Sequence, residues 1–485
     1  MTSLFRVTHF LVRIDMFRRL FLITAAAFTL TGALGSSGCA YSPTARSEVP
    51  PIIFVHGNGD SAAVWQTTLW RFESNGWPRN RLFALQQPYP IARDDDGKDQ
   101  PGRSSSAESM AFLKAEVDKV LVKTGATKVV LVGNSRGGYA IRNYIQKGGG
   151  EKVVSHAILG GTPNHGVWAI PGFRESSEFS GTGPFLKGLN APKNAAGDEV
   201  VGPVQWLTIR SDNNDKFSHP DAKWIGAKGK LTHVDYDSPA LQGAHNIVIP
   251  RLDNRETSFS PAAFEATYRF ITGRAPTTLP IWPEINIVLN GMVTGMGVNS
   301  GDRASASNGF SNNLPVPKAR VEVYAVHYQT GLRTGGPVHS QKVGEDGRWG
   351  PFTGLSGVPY EFVVSAPGYA KTHIYRSPFP RGSDVVHLKA DRIADVDLPA
   401  FSIIQMVRPR GYLDPTTHHI NFDGQSPPPG IAVDRVGSLN ASKINLAKAQ
   451  DRAIAAEFHT DIVERVVGRT WLAKENHVVW LEITQ

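Results

Sequence analysis

Val129-Val130-Leu131-Val132-Gly133-Asn134-Ser135-Arg136-Gly137-Gly138 runs from four apolar residues straight into a G-x-S-x-G turn. An unbroken apolar run reads as a strand buried on both faces. Tyr139 to Gln146, just beyond, reads as a helix. The glycines allow a strained turn that lifts the Ser135 hydroxyl above the edge of the sheet. A free serine is a poor nucleophile; held there beside a base, it can attack a carbonyl. The plainer alternative is a glycine-rich turn, because five residues make a short pattern. The strand before and the helix after favour the nucleophile.

A second motif lies upstream. Pro51-Ile52-Ile53-Phe54-Val55 is another buried strand, and it ends in His56-Gly57-Asn58-Gly59-Asp60. Together the two motifs resemble the α/β-hydrolase family, and within it the bacterial lipases and carboxylesterases. The resemblance covers about residues 48 to 275. It implies a parallel sheet with helices on both faces. It also implies an oxyanion hole made by the backbone N–H groups of Asn58 and Arg136. Two such donors are worth several kcal/mol of barrier. Alone, H-G-N-G would read equally well as a turn.

The same resemblance places a triad acid after a late strand. Val204-Gln205-Trp206-Leu207-Thr208-Ile209-Arg210 is that strand, followed by Ser211-Asp212-Asn213-Asn214-Asp215. The family spacing favours Asp215, with Asp212 as the alternative. The acid would hold the histidine tautomer and stabilise the imidazolium. A solvated turn or a helix cap is the competing reading of this loop.

The histidine departs from the pattern. Ala240 to Pro250 reads as the last strand and its approach, and Ser260-Pro261-Ala262-Ala263-Phe264 opens the final helix. Related lipases carry the catalytic histidine between the two. Counting from either side reaches Leu252-Asp253-Asn254-Arg255-Glu256, so the histidine slot holds Asn254. An amide has no useful basicity near neutral pH and cannot take the Ser135 proton. Three readings compete. The chain is a weakened or inactive hydrolase; or another histidine serves; or the loop is aligned wrongly. His165, after the strand Ala157-Ile158-Leu159, belongs at the active edge of the sheet and is the substitute to weigh. His245 begins its strand and belongs at the far edge. The first reading is slightly favoured, and an intact oxyanion hole and pocket still leave roughly 10³-fold catalysis over water.

The chain has 485 residues, 41% of them hydrophobic and 19% charged, enough for two or three domains with real cores. The formal charge is +8, of which Arg6, Arg13, Arg18 and Arg19 less Asp15 supply +3. No basic cluster interleaves with aromatics, so nucleic acid is not expected as a partner. Residues 1–39 read as an export signal: Met16-Phe17-Arg18-Arg19-Leu20-Phe21-Leu22 is basic and then apolar. The apolar run is short for a permanent membrane helix. Residues 1 to 15 then precede a cleaner start at Met16. R-R-x-F-L resembles a twin-arginine signal, with Phe17 and Ile23 departing from its flanks. Cys39, the single cysteine, stands where a bacterial lipoprotein is cleaved and acylated, though Ser36 replaces the usual aliphatic residue. Simple cleavage nearby is the alternative. Periplasmic, outer-membrane-anchored and secreted destinations all follow from an exported chain.

Residues 46–275 alternate strand-like and helix-like segments, as a parallel sheet covered by helices requires. Ala107 to Lys123 is one such helix, stopped by Thr124-Gly125. An irregular insert between Ala157 and Val204 carries Trp168, Ile170, Phe173, Phe179, Phe185 and Leu189. It reads as a lid or pocket wall, or as a packed excursion. Residues 276–283 form a Pro/Thr-rich linker. Residues 284–395 show short alternating strands resembling transthyretin-like or carboxypeptidase-regulatory β-sandwiches, and 396–485 is also strand-rich. Arg93 to Asp99 lacks the bidentate Glu of a Ca²⁺ loop, and His418-His419 has no further ligands nearby in sequence. No metal or cofactor is expected. The implied substrate is a small or polymeric ester or lipid.

Overall fold

The strand β1 (Ile52–Val55) is buried at every position, and its side chains divide between two cores. Ile53 and Val55 join Leu131 under α2 (Ser106–Thr124) and α3 (Arg136–Lys147). Ile52 and Phe54 join Val130 and Val132 under α1 (Gln66–Ser74) and α6 (Pro261–Thr272). Period-two alternation in a strand apolar throughout gives this result only when helices cover both faces. The computed structural model describes residues 49–211, 227, 238–296, 311–433, 439–460 and 462–484. The leader, Cys39, Asp212 and Asp215 lie outside the described residues.

The first sheet adds β2 (Leu82–Ala84), β3 (Val129–Asn134), β4 (Val154–Gly160), β5 (Gln205–Arg210) and β6 (His245–Val248). Its order is β2-β1-β3-β4-β5-β6, and every neighbouring pair is parallel. This is the α/β-hydrolase arrangement. All strands point their C-terminal ends the same way, so the loops after β1, β3, β4 and β5 gather at one edge. Helix α2 starts with a capping box, Ser105 with Glu108, and ends at Gly125 with φ 66°. Both signals are local, which is why its expected span was right to within a residue at each end.

Among the described residues, the C-terminal strands build three further sheets. A seven-stranded one runs β10 (His339–Lys342), β9 (Arg320–Ala325), β12 (Tyr360–Ser365), β13 (Lys371–Arg376), β20 (His477–Glu482), β15 (Ser402–Val407), β17 (Ala441–Leu446). Strand β20 lies between β13 and β15 and is parallel to both. One face packs Phe362, Ile374 and Trp480 against β7 (Asn286–Met296) and β11 (Arg348–Leu355), through Ile287, Leu289 and Trp349. The other packs Tyr375, Met406 and Leu481 on the sheet of β16 (His419–Phe422), β18 (Ala453–His459) and β19 (Val463–Arg469). Trp70 of α1 belongs to the first of these cores, and its indole N–H donates to Gly382 O at 2.8 Å.

His387, ahead of β14 (Leu388–Ala390), accepts the Met292 N–H on Nδ1 at 3.1 Å, and its buried Nε2 has no partner among the described residues. Burial first, then the nearby Arg348 and Lys389 charges, push its pKa down to about 3. The unfolded chain binds a proton near pH 6.5 that the folded chain refuses. Stability is therefore complete above pH 6.5 and falls as pH drops from there toward 3. Each pH unit in that window removes up to about 1.4 kcal/mol. Thermal unfolding from pH 7 to pH 4 should show the wild type losing Tm more steeply than His387→Gln, whose amide oxygen can accept the same N–H. Parallel pH slopes would show that this imidazole is hydrated in the folded protein.

Candidate functional site

Ser135 stands between β3 and α3 with φ 51° and ψ −120°. A non-glycine residue in this region costs about 1–3 kcal/mol and persists only where its surroundings enforce it. Here they do. The Ser135 N–H donates to Gly160 O at 2.8 Å, and Thr162 Oγ1 donates to Ser135 O at 3.0 Å. On the next turn α3 presses onto β1: a Cβ on Gly137 would sit 2.3 Å from Val55 O. The turn after β1 is equally close, since a Cβ on Gly57 would sit 3.1 Å from Ser135 Cβ. The two motifs, eighty residues apart, therefore meet at one point.

Asn58 and Ser135 both line a cavity of about 300 Å³. The Asn58 side chain is spent on the loop, its Oδ1 accepting from the Ala92 N–H at 2.8 Å. Arg136 is the first residue of α3, so its N–H has no acceptor within the helix. Its guanidinium turns away into a buried pair with Glu178, at 2.6 Å and 3.0 Å, and also donates to Pro90 O and Ser104. The Arg136 guanidinium is therefore committed to the protein interior. His56 is not a base: the Gln87 N–H donates to its Nε2 at 3.2 Å, which leaves Nδ1–H to donate to Gly57 O at 3.0 Å. Burial lowers its pKa and holds the ring neutral.

Asn254 lines the same cavity as Ser135. Its Nδ2 donates to Gly161 O at 2.8 Å, and its backbone O accepts from Asn134 Nδ2 at 2.8 Å and Thr257 Oγ1 at 2.7 Å. Asn134 precedes Ser135, and Gly161 follows the residue that accepts the Ser135 N–H. Position 254 is thus fastened to the side chain of the residue before Ser135 and to the backbone of Gly161. His165 lines the cavity as well, but its Nε2 is bound to Glu199 at 2.9 Å. His245 begins β6 beside Leu207, exposed and stacked on Phe270. It is at the opposite edge from Ser135, where its place in the strand puts it. Among the described residues, Ser135 Oγ has no hydrogen-bond partner, imidazole or otherwise. Asp215 and Asp212, with His219 and His233, fall outside the described residues. His418 lies 3.6 Å from Glu256 and against Phe458; among the described residues no His, Cys, Asp and Glu cluster could hold a metal ion.

The insert after β4 forms part of the wall. Val167, Trp168 and Phe179 line the cavity and pack with Ile170 and Phe173. Sequence reasoning missed three contributors. Asp60 pairs with Arg255 at 2.6 Å, joining the H-G loop to the 253–256 loop. Both residues were inside stretches already singled out, but a 195-residue separation hides the pairing. The third, Tyr412, lines the cavity from a segment that carries no local signal.

Two family models match parts of this chain. Residues 49–171 match the family model Lipase (class 2), and residues 286–393 match the Lipase C-terminal domain. A non-heme haloperoxidase of Rhodococcus erythropolis is 28% identical over 232 residues, covering 43% of this chain and 79% of that protein. Similar solved structures include the mature Bacillus licheniformis lipase BlEst2, at 20% identity. That match covers 47% of this chain and 93% of the other, with a TM-score of 0.34. Carboxylesterase CesB from Bacillus subtilis is 14% identical over 47% of this chain and 85% of its own, with a TM-score of 0.25.

Gly137→Ala is expected to cost about 1–3 kcal/mol, because the new methyl meets the backbone of Val55 and His56, and no flexible side chain can yield. Calorimetry should record a Tm lower by several degrees. An unchanged Tm would show that α3 can slide off β1 at no cost.

Proposed function

We propose that this lipase-type α/β-hydrolase cleaves carboxylic esters through an acyl-enzyme on Ser135. The observation that carries the reading is the strained Ser135 backbone at the cavity, with the Gly57-Asn58 turn against it. Ser135 Oγ adds to the ester carbonyl carbon, and the carbonyl oxygen takes the negative charge. The N–H groups of Asn58 and Arg136 donate to that oxyanion. The tetrahedral species expels the alcohol, leaving an acyl-serine, and water then releases the acid. Asp215, or Asp212 next to it, is the proposed triad acid. The apolar wall of Val167, Trp168 and Phe179 suits the hydrocarbon part of a lipid, a short ester or a polyhydroxyalkanoate. The basic-then-apolar leader fits an exported protein, and Cys39 is the proposed site of a lipid anchor.

Each step needs a proton acceptor and donor beside Ser135, and Asn254 can serve as neither. We therefore assign the chain a weakened chemical step. This same residue supports a second reading, a hydrolase fold retained for binding an ester or lipid in the envelope.

Hydrolysis of short and long p-nitrophenyl esters by three proteins tests this. Asn254→His should raise kcat by about 10²–10⁴-fold, the usual worth of a positioned general base. Ser135→Ala should abolish that gain in the Asn254→His background. A wild type as fast as Asn254→His would remove position 254 from the mechanism and move the base to another histidine, with His165 the first to replace. Activity that survives Ser135→Ala would sink the serine mechanism.

A further inference from the structure

Tyr412 comes from the C-terminal β region, yet it borders the cavity together with Ser135 and Asn254. It follows β15 by five residues and lies 159 positions from Asp253, its partner in the hydrolase half. The segment is held at both polar ends of its peptide. The Tyr412 N–H donates to Asp253 Oδ2 at 2.6 Å, and Arg408 Nη1 donates to Tyr412 O at 2.6 Å. The other arm of Arg408 donates to Glu256 Oε1 at 2.6 Å. Asp253 Oδ1 in turn accepts the N–H groups of Arg255 and Glu256, each at 2.8 Å. Arg408 and Asp253 are each about 1% exposed, so water cannot substitute for any of these partners. Gly411 leaves room for the Arg408 guanidinium, since a Cβ there would sit 2.3 Å from Arg408 Nη1.

The ring itself is keyed to both loops beside the nucleophile. The Arg255 guanidinium lies 5.2 Å from its centroid, and the same guanidinium grips Asp60 of the H-G loop at 2.6 Å. A side chain fixed this firmly sets the size of the space next to it.

We infer that Tyr412 is a specificity-determining wall of the ester cavity, packing the hydrocarbon chain of the substrate, so that the C-terminal β region completes the site. The inference rests on the proposed reading of the cavity as an ester site. It does not depend on how fast the chemistry runs, and a binding measurement separates the two.

The probes are N-(4-nitrophenyl)octanamide and N-(4-nitrophenyl)acetamide, which present the chain and carbonyl of an ester without its labile bond. Calorimetric titration on the full chain compares the wild type with Tyr412→Phe, Tyr412→Leu and Tyr412→Ala. Tyr412→Ala should weaken octanamide binding by about tenfold, the scale of a lost apolar pocket contact, and acetamide binding by much less. Tyr412→Phe should bind both within about twofold of the wild type, because the packing face is kept. Tyr412→Leu, which retains bulk but not the aromatic face, is read in place of alanine if alanine does not fold. Equal octanamide affinity in the wild type and the leucine or alanine variant would overturn the inference. So would the absence of saturable octanamide binding to the wild type. Ester cleavage that survives Ser135→Ala would instead sink the serine mechanism and leave the binding result standing.

Discussion

Everything at the site depends on the approach of α3 to β1 at Gly137. With no side chain there, the helix axis can start almost on top of the Val55 carbonyl. That closeness shortens the turn between β3 and α3 until Ser135 must adopt φ 51°. Hydrogen bonds to Gly160 O and from Thr162 hold that conformation, and two cores, one on each face of the sheet, fix where β3 ends and α3 begins. The same closeness brings Gly57 against Ser135, so the His56–Asp60 loop and Ser135 are positioned by one packing event. A side chain at residue 137 would separate both at once.

The parts that were legible in the sequence are those whose signal is local. Strands β1 and β3 announce themselves as apolar runs, and the elbow follows from glycine spacing. Helix α2 is bounded by a capping box and a left-handed glycine. The site edge follows from strand direction, which places His165 beside the cavity and His245 away from it. Strand direction could not show that Glu199 already occupies His165 Nε2, because the two residues are 34 positions apart with an irregular insert between them. The placement of β20 between β13 and β15 was equally hidden. Parallel pairing over about 75 and 105 residues leaves no pattern in either strand alone. Tyr412 is the extreme case: its role depends on Arg408, Asp253 and Arg255 together, and no window of sequence contains all of them.

Buried arginines recur wherever the β region meets the hydrolase half. Arg408 holds Asp253, Glu256 and Tyr412 O, while Arg410 holds Ala63 O and Thr484 O. Burying a guanidinium is costly, and such pairs are weak sources of net stability. Their value here is positional. Apolar contacts between sheets tolerate small slides, whereas a planar fork with several acceptors accepts one register. Trp70 supplies the apolar component of the same junction, and its bond to Gly382 O adds a directional one. The cavity wall contributed by Tyr412 needs that precision, because an error of an ångström there is an error in pocket volume.

Shape and chemistry separate at position 254. At residue 254 itself the holding bonds are made mostly by the backbone, while the Asp253, Arg255 and Glu256 side chains secure the rest of the loop. Asn254 O accepts from Asn134 and Thr257, and two neighbouring N–H groups converge on Asp253. The side chain adds one bond, Nδ2 to Gly161 O. An asparagine therefore meets every structural demand of the position while supplying no basicity. The elbow, the H-G turn and the cavity therefore stand beside an amide that cannot move a proton. On the proposed ester mechanism, the fold keeps the geometry of the site independently of the one side chain that sets its rate.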